Sequence, residues 1–251
     1  MNKMSKLHES LIIGKNNYIE KGVKIYENVV IGNNNKIYDG TFIYPNTVIG
    51  NNNVILNNNI LGEYGVEARD DNFEEKKFGG LIIGNDNYFH VDNIIFNGYE
   101  KKTIIGNNNK FLSQVSIHHD NIIHNNVVFY PRAITSGLCT LMDYSTMGMN
   151  SCLQQKSVVG SYSMIGMGSV ASHNVFPFYI YFNQKYQRFN KVKIPDDILL
   201  LLYNNEEELQ YVISELRSNE CEINFIKNSR LPDNIKDIII RFLNNLTIKK
   251  I

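Results

Sequence analysis

A column of apolar residues, one in every six positions, runs through most of this chain and limits what it can fold into. The column follows residues 7–61, 83–95 and 105–171 in steps of six, which makes 25 positions. Only Thr135 among them is not apolar. Since 43% of the residues are hydrophobic, chance would fill about eleven of the 25 positions. The period therefore reflects the fold and not the composition.

A period of six fits neither an α-helix nor a half-exposed strand. It is typical of a parallel β-helix built from hexapeptides, in which each hexapeptide forms one side of a prism and each sixth residue points to the axis. The dipeptide Ile-Gly recurs at 13–14, 31–32 and 49–50, so three hexapeptides complete one three-sided coil. The sequence predicts a mainly β protein of roughly eight coils, about 40 Å long at about 4.8 Å per coil.

The positions two residues before each inward residue are small or polar in the later repeats. They are Ala133, Cys139, Ser145, Ser151, Ser157, Ser163 and Ser169. Small side chains, glycine and asparagine suit corners, where side chains crowd and φ becomes positive. We therefore expect the corners of the prism here and at Asn-rich turns such as 33–35 and 51–53.

Two breaks interrupt the period, and a different pattern follows it. The break at about 62–82 adds 16 residues to the period, and the break at about 96–104 adds four. Loops as long as the first are usually functional or disordered. We expect residues 1–186 to form the β-helix with these two excursions. The apolar spacing of residues 187–251 predicts an α-helical C-terminal region with three helices.

Composition and charge exclude several classes of function. Basic and acidic residues number 25 each, which gives no electrostatic case for a nucleic-acid partner or an anionic membrane surface. The three cysteines are an odd number without metal-type spacing, so a reduced cytoplasm is the expected setting. We expect no secretory signal and no transmembrane segment, because no apolar run has the required length.

Histidines are concentrated in the stretch VSIHHDNIIH, residues 115–124. His119 lies two residues after the inward Ile117, which places it at or near a corner, and Asp120 follows it. A neutral imidazole with an acidic partner can take a proton from a hydroxyl or amine that attacks a carbonyl, which is the work of a general base. A corner histidine hydrogen-bonded to backbone is the alternative interpretation.

The apolar column, the two excursions, the late His-Asp pair and the helical tail together resemble the hexapeptide-repeat acyltransferases. Among these, the chain looks most like the UDP-N-acetylglucosamine acyltransferases of the lipid A pathway. The resemblance covers the whole chain in order. It implies a left-handed β-helix, although parallel crossovers are right-handed in general. It also implies a homotrimer with a cleft between adjacent prisms, and a second excursion that reaches over a neighbour.

The same resemblance assigns roles to individual residues. His119 corresponds to the general base, and Asp120 to the acidic residue that follows it. An aspartate that contacts the sugar nucleotide from the first excursion corresponds to Asp71, with Asp70 as a possible substitute. A glutamine that lines the cleft matches Gln155. An asparagine just after the last coil of the family matches Asn183.

Four positions depart from the family pattern. Ser116, Leu138 and Gln154 stand where the family has histidines that help to bind the sugar nucleotide and the acyl carrier. These replacements leave the base in place and put the substrate in doubt. Met167 falls close to the position where the family has a small residue that lets a long acyl chain pass, so its bulk favours a shorter acyl chain. Simple packing of the Met167 side chain is the alternative interpretation.

Basic residues follow the last coil. The stretch 183–193 includes Lys185 and Arg188 and has no acid, so it can hold the phosphates of coenzyme A or the acidic surface of acyl carrier protein. A solvated basic loop is the alternative. The expected co-substrate is acyl-ACP or acyl-CoA, with no permanently bound cofactor.

A metal site is also to be considered, because gamma-class carbonic anhydrases share this repeat and bind zinc with three histidines. His119 and His124 are five residues apart, as two of those ligands are. Counted without the second excursion, His90 does not lie a whole number of coils from His119, so it faces another side of the prism. We therefore expect no metal.

Three functions follow from this reasoning. The first is transfer of an acyl group from a thioester donor to a hydroxyl or amine of a nucleotide-linked sugar, with His119 as general base. The second is an acetyl-CoA-dependent sugar O- or N-acetyltransferase with the same fold. The third is a non-catalytic β-helix that scaffolds partners.

Overall fold

Three parallel β-sheets form the sides of a prism in the computed structural model, which describes residues 10–64, 79–218 and 223–247. Successive strands enter the first, second and third sheet in turn. Most strands have only two residues, and the turns between them are the corners. This is the predicted mainly β coil of hexapeptides, with the left-handed winding that the resemblance implies.

The strands are numbered in chain order. The first sheet contains β1 (Ile12–Ile13), β4 (Val30–Ile31), β7 (Thr47–Ile49), β10 (Leu81–Ile83), β13 (Thr103–Ile105), β16 (Ile122–Ile123), β19 (Thr140–Leu141) and β22 (Val158–Val159). The second contains β2 (Tyr18–Ile19), β5 (Lys36–Ile37), β8 (Val54–Ile55), β11 (Tyr88–Phe89), β14 (Lys110–Phe111), β17 (Val128–Phe129), β20 (Thr146–Met147), β23 (Met164–Ile165), β25 (Tyr179–Phe182) and β26 (Lys185–Phe189). The third contains β3 (Lys24–Ile25), β6 (Phe42–Ile43), β9 (Ile60–Glu63), β12 (Ile94–Phe96), β15 (Ser116–Ile117), β18 (Ile134–Thr135), β21 (Cys152–Leu153) and β24 (Val170–Ala171).

The strand register confirms the lengths of both excursions. Neighbouring strands are offset by three hexapeptides, as in the pair Ile31 and Ile49. Across the first excursion Ile49 pairs with Ile83, which leaves 16 extra residues. Across the second, Ile83 pairs with Ile105, which leaves four. The coil therefore keeps its register on both sides of each insertion.

The apolar column fills the axis of the prism. From Ile31 to Ala171 its members are at most 1% exposed, including Thr135. Three phenylalanines stack along the axis, with ring centroids 4.5 Å apart for Phe89–Phe111 and 5.0 Å for Phe111–Phe129. Each such side chain contributes roughly 1.5–3 kcal/mol when buried, so the prism is stable because coils stack. Ile13 is 38% exposed, since no described coil lies below it.

The corners are built as the sequence predicts, with one residue of positive φ in most of them. In most corners the next residue is an asparagine or a buried small residue, and in a few it is a buried valine such as Val115. These asparagines bond from coil to coil: Asn87 Nδ2 donates to Asn53 Oδ1 at 3.1 Å, and Asn53 Nδ2 donates to Asn35 Oδ1 at 3.0 Å. The Oδ1 atom of Asn87 in turn accepts from the amide of Asn109 at 2.9 Å. This ladder satisfies buried amides that would otherwise destabilise the corners.

A hairpin and four helices follow the last coil in the part of the chain that the structure describes. β25 and β26 are antiparallel, and both turn residues, Asn183 and Gln184, have positive φ, as a tight two-residue hairpin requires. The helices are α1 (Asp196–Asn204), α2 (Glu206–Ser218), α3 (Ile223–Asn228) and α4 (Asp233–Thr247). The sequence predicted three helices, because the short α3 was missed. The helical part begins at Asp196, since residues 185–189 continue the second sheet.

The helices pack on the carboxyl-terminal end of the prism. Their buried residues, among them Leu202, Leu209 and Phe242, form a second core together with Val158 and Phe178. Among the described helices, none combines the length and the apolar character that a membrane span needs.

Candidate active site

His119 lies on the edge where the third sheet gives way to the first. It follows β15 and precedes β16, so the turn between these strands sets its position. The prediction that His119 sits at a corner and outside the core is confirmed. The residues at the same point of the next three coils are Gly137, Gln155 and His173. We call this line of residues the histidine edge.

His119 and Asp120 form a close, shielded pair. The Nδ1 atom of His119 lies 2.8 Å from Oδ2 of Asp120, and their side chains are 11% and 1% exposed. Asp120 adopts a φ of +58°, which short polar residues tolerate at a turn. A carboxylate only accepts hydrogen bonds, so Nδ1 carries the proton and Nε2 is the basic nitrogen. The pair therefore has the arrangement of a general base with an orienting acid.

The second excursion surrounds the other oxygen of Asp120. Its Oδ1 atom accepts hydrogen bonds from the backbone amides of Tyr99 at 3.0 Å, Glu100 at 3.1 Å and Lys101 at 2.7 Å. The ring of Tyr99 lies 5.9 Å from that of His119. The four residues added to the period thus contact both members of the pair.

Gly137 lies against the basic edge of the imidazole. A Cβ atom at this position would approach Nε2 of His119 to 2.5 Å and Cε1 to 2.6 Å. Only a glycine leaves room for the ring in its present place. Because its φ lies outside the left-handed region, the need for glycine here is one of space alone.

The neighbouring His118 has a different environment. Its ring packs on Phe96 in the coil below, with centroids 5.0 Å apart. Burial lowers the pKa of the His118 imidazole, and the adjacent His119 lowers it further. His118 is therefore a packed side chain outside the His119–Asp120 pair, and it offers a control for any experiment on His119.

Some of the predicted binding residues lie near His119 and others do not. Ser116 is on β15, on the outer face of the third sheet, and Gln154 and Gln155 are exposed two coils above the pair. Leu138 is the positive-φ residue next to Gly137. All four lie on the third sheet or at the histidine edge, where that sheet ends.

Met167 and the residues after the last coil lie elsewhere in the same protomer. Met167 is 61% exposed at the corner between the second and third sheets. Asn183 is in the hairpin turn, and Lys185 and Arg188 are exposed on β26, at the end of the second sheet. Met167 is therefore on a different edge from His119, whereas Lys185 lines a pocket with His173, three coils above His119 on the histidine edge.

The predicted sugar-nucleotide contacts Asp70 and Asp71 fall in 65–78, outside the described residues. Among the residues that are described, no group of three His, Cys, Asp or Glu side chains could hold a metal ion. His90 instead pairs with Ser113, with 2.8 Å between Nδ1 and Oγ. Burial lowers the pKa of His124, although Asp143 acts in the opposite direction.

Two features of the site were missed by sequence reasoning. The amides of 99–101 belong to the second excursion and lie 19 to 21 residues before Asp120 in the sequence. Backbone donors cannot be recognised from residue types. Gly137 had a usable signal, since it lies one complete coil after His119. A glycine one coil above a candidate base indicates that a larger side chain there would collide with the base.

Comparison with known proteins agrees with the fold. The family model for the bacterial transferase hexapeptide, six repeats, matches residues 10–45. An acyl-[acyl-carrier-protein]–UDP-N-acetylglucosamine O-acyltransferase of Nautilia profundicola is 39% identical over 129 residues, which is 49% of each chain. The enzyme of the same name from Aliivibrio salmonicida is 31% identical over 112 residues, 42% of this chain and 43% of the relative. The chain thus matches about half the length of these curated relatives.

Solved structures extend the likeness over the whole fold. A UDP-N-acetylglucosamine acyltransferase from Bacteroides fragilis superposes with a TM-score of 0.80 at 24% identity, covering 97% of both chains. The enzyme from Campylobacter jejuni gives 0.76 at 22% identity, covering 89% of this chain and 94% of its own. The chain therefore carries the bacterial transferase hexapeptide repeat and is similar to UDP-N-acetylglucosamine acyltransferases, in sequence over about half its length and in fold over nearly all of it.

Proposed function

We propose that this protein transfers an acyl group from an acyl carrier protein thioester to a hydroxyl of UDP-N-acetylglucosamine, with His119 as general base. The observation that carries the proposal is the pair His119–Asp120 on the prism edge, with Nδ1 held by a carboxylate and Nε2 beside a glycine. The names of the similar proteins supply the donor and acceptor.

The chemistry follows from the orientation of the imidazole. Nε2 of His119 takes the proton of the attacking hydroxyl while its oxygen bonds to the thioester carbonyl carbon. The negative charge then resides on the former carbonyl oxygen, where a backbone amide at the glycine corner of Gly137 stabilises it. Collapse of this intermediate breaks the carbon–sulfur bond, and His119 returns the proton to the leaving thiolate. The products are an ester of the sugar and the free thiol of the carrier.

The proposed working form is a homotrimer in the cytoplasm. Met167 lies on a different edge of the prism from His119, so it joins the cleft of His119 only from an adjacent copy. In that assembly Lys185 and Arg188 offer positive charge to an acidic carrier, and Asp71 or Asp70 reaches the sugar nucleotide from the first excursion. Gln155, Gln154 and Ser116 line the acceptor side of the cleft.

The test is release of free thiol from acyl carrier protein thioesters in the presence of UDP-N-acetylglucosamine. His119→Ala should lose nearly all activity, because general-base catalysis contributes about 10²–10⁴-fold. His118→Ala is the matched control, since that ring packs on Phe96 and is not part of the pair with Asp120. A His119→Ala enzyme as fast as the wild type would remove the proposed base, and inactivity of the wild type with every acyl length would remove the proposed reaction.

A second candidate is an acetyl-CoA-dependent sugar acetyltransferase. It is favoured by Met167, whose exposed side chain leaves less room for a long chain, and by Leu138 and Gln154, which replace histidines of the similar family. Side-by-side kinetics with acetyl-CoA and with carrier-bound acyl chains distinguish the two. A preference for acetyl-CoA would select the acetyltransferase.

A further inference from the structure

The second excursion adds only four residues, yet three successive amides in it converge on one oxygen atom. The donors are the N–H groups of Tyr99, Glu100 and Lys101, and the acceptor is Oδ1 of Asp120. Glu100 also approaches Oδ2, at 3.4 Å. Successive amides that point to one anion form a nest, which stabilises negative charge without a cation.

The burial of Asp120 makes this nest significant. Its side chain is 1% exposed, so water does not stabilise the carboxylate. A buried carboxylate is costly unless hydrogen bonds compensate for the lost water. Among the described residues, Asp120 has no lysine or arginine partner within ion-pair distance, so the three amides compensate in their place.

The nest is itself held in place by the end of the first excursion. The amide of Gly98 donates to the carbonyl of Gly80 at 3.0 Å, and the amide of Gly79 donates to the carbonyl of Gly98 at 2.8 Å. A Cβ atom on Gly98 would overlap the carbonyl oxygen of Lys101. These hydrogen bonds and this close contact support the loop in the conformation that points its amides at Asp120.

We propose that the second excursion is a backbone anion site that fixes the tautomer of His119. The nest occupies Oδ1 of Asp120, which leaves Oδ2 as the acceptor for Nδ1 of His119. The proton then stays on Nδ1, and the lone pair of Nε2 faces the substrate. The role of this tautomer in catalysis rests on the proposed function, whereas the tautomer itself can be measured without any activity. The backbone amides of Tyr99, Glu100 and Lys101 act here as positioning groups, and their side chains have no part in it.

The substitution Asp120→Asn tests the nest directly. Three amide donors will hold the side-chain oxygen of the asparagine, so its NH₂ group must face Nδ1 of His119. Nδ1 then has to accept, and the proton moves to Nε2. The nest thus predicts a folded variant with the opposite tautomer, which a merely structural loop would not require.

The tautomer is read from the ring nitrogens by NMR, on protein labelled with ¹⁵N-histidine at a pH where His119 is neutral. A His119→Gln sample identifies its signals among those of the six histidines. We expect protonated Nδ1 in the wild type and protonated Nε2 in Asp120→Asn. The same tautomer in both proteins overturns the inference, and this holds whether or not the protein turns out to be an acyltransferase.

A proline substitution tests the amide donors of the loop. Lys101→Pro removes the amide with the shortest hydrogen bond, 2.7 Å to Asp120. Lys102→Pro is the matched control, because the Lys102 amide bonds to no acceptor among the described residues, and Lys101→Ala removes the side chain alone. We expect kcat to fall about tenfold or more in Lys101→Pro, the effect of one hydrogen bond to a charged group. The two controls should keep their kcat.

The Michaelis constant for the sugar nucleotide should stay within about twofold in all three variants, since positioning of the base affects the transition state. Equal losses of kcat in Lys101→Pro and Lys102→Pro would overturn the inference, because the loss would then come from loop distortion. If the wild type has no acyltransferase activity, the proposed function fails, and the NMR comparison still decides the role of the nest.

Discussion

Replacement of Gly137 by alanine gives the sharpest test of the site geometry. The new Cβ would lie 2.5 Å from Nε2 and 2.6 Å from Cε1 of His119. Carbon atoms in contact prefer separations of about 3.5–4.0 Å, so the imidazole must move by about 1 Å. A displacement of about 1 Å at a catalytic group costs on the order of 10²-fold in rate. We therefore expect kcat/KM to fall about a hundredfold in Gly137→Ala.

The same clash has a cost in stability. Extra atoms in a packed site destabilise a protein by about 1–3 kcal/mol. The cost should depend on His119, because the imidazole supplies the three atoms nearest to the new Cβ. In His119→Ala the space is empty, so adding Gly137→Ala to that variant should leave the free energy of unfolding nearly unchanged.

The assay is a double-mutant cycle measured with both urea unfolding and thiol release. The four proteins are the wild type, the two single variants and the double variant. We expect a coupling free energy of about 1–3 kcal/mol in unfolding. In thiol release, the double variant should be no slower than His119→Ala. An equal stability cost of Gly137→Ala in both backgrounds, or a wild-type rate in Gly137→Ala, refutes the placement of the ring.

Three further predictions concern the prism. Phe111→Ala should lower the free energy of unfolding by about 3–5 kcal/mol in urea titrations, since it empties a site between two stacked rings. Asn87→Ala should cost about 1–3 kcal/mol in the same assay, because it leaves the buried amide of Asn109 without its acceptor. Burial lowers the pKa of His124 below its ordinary 6.5, so the folded state binds this proton less readily than the unfolded state. Stability should therefore fall as the pH drops below about 6.5, and His124→Gln should reduce that fall in urea titrations at pH 7 and pH 5.

Most of the fold follows from the sequence because one interaction decides it. The axis admits only residues that fill it, so the apolar column appears at every sixth position, and even the excursion lengths can be counted from it. Ile49 pairs with Ile83 and Ile83 with Ile105, as the breaks in the period require. The column ends at Ala171, and beyond it the six-residue period no longer predicts the structure. The hairpin of β25 and β26 and the short helix α3 have no period, so they were missed.

The site was only partly predictable, for a related reason. His119 and Asp120 are adjacent in sequence, so their pairing was visible at once. The nest is made of backbone amides, which every residue except proline possesses, and residue types therefore do not reveal it. The separation of Met167 from His119 depends on which corner each residue occupies. It emerges once each position is counted around the three sides.

The repeat also determines how such a site can change. Because every coil consists of three hexapeptides, a substitution on the histidine edge changes what lies above or below His119 and keeps its position on the edge. Insertion of one hexapeptide between Ile117 and a later coil would instead rotate every following side chain by one face, and would separate Gln155 from His119. The second excursion avoids this rotation, since the strands on both sides of its four residues stay in register. An insertion can thus add a catalytic contact to a β-helix without rotating the later coils only when it leaves and rejoins the coil in phase, and the loop that holds Asp120 meets that condition.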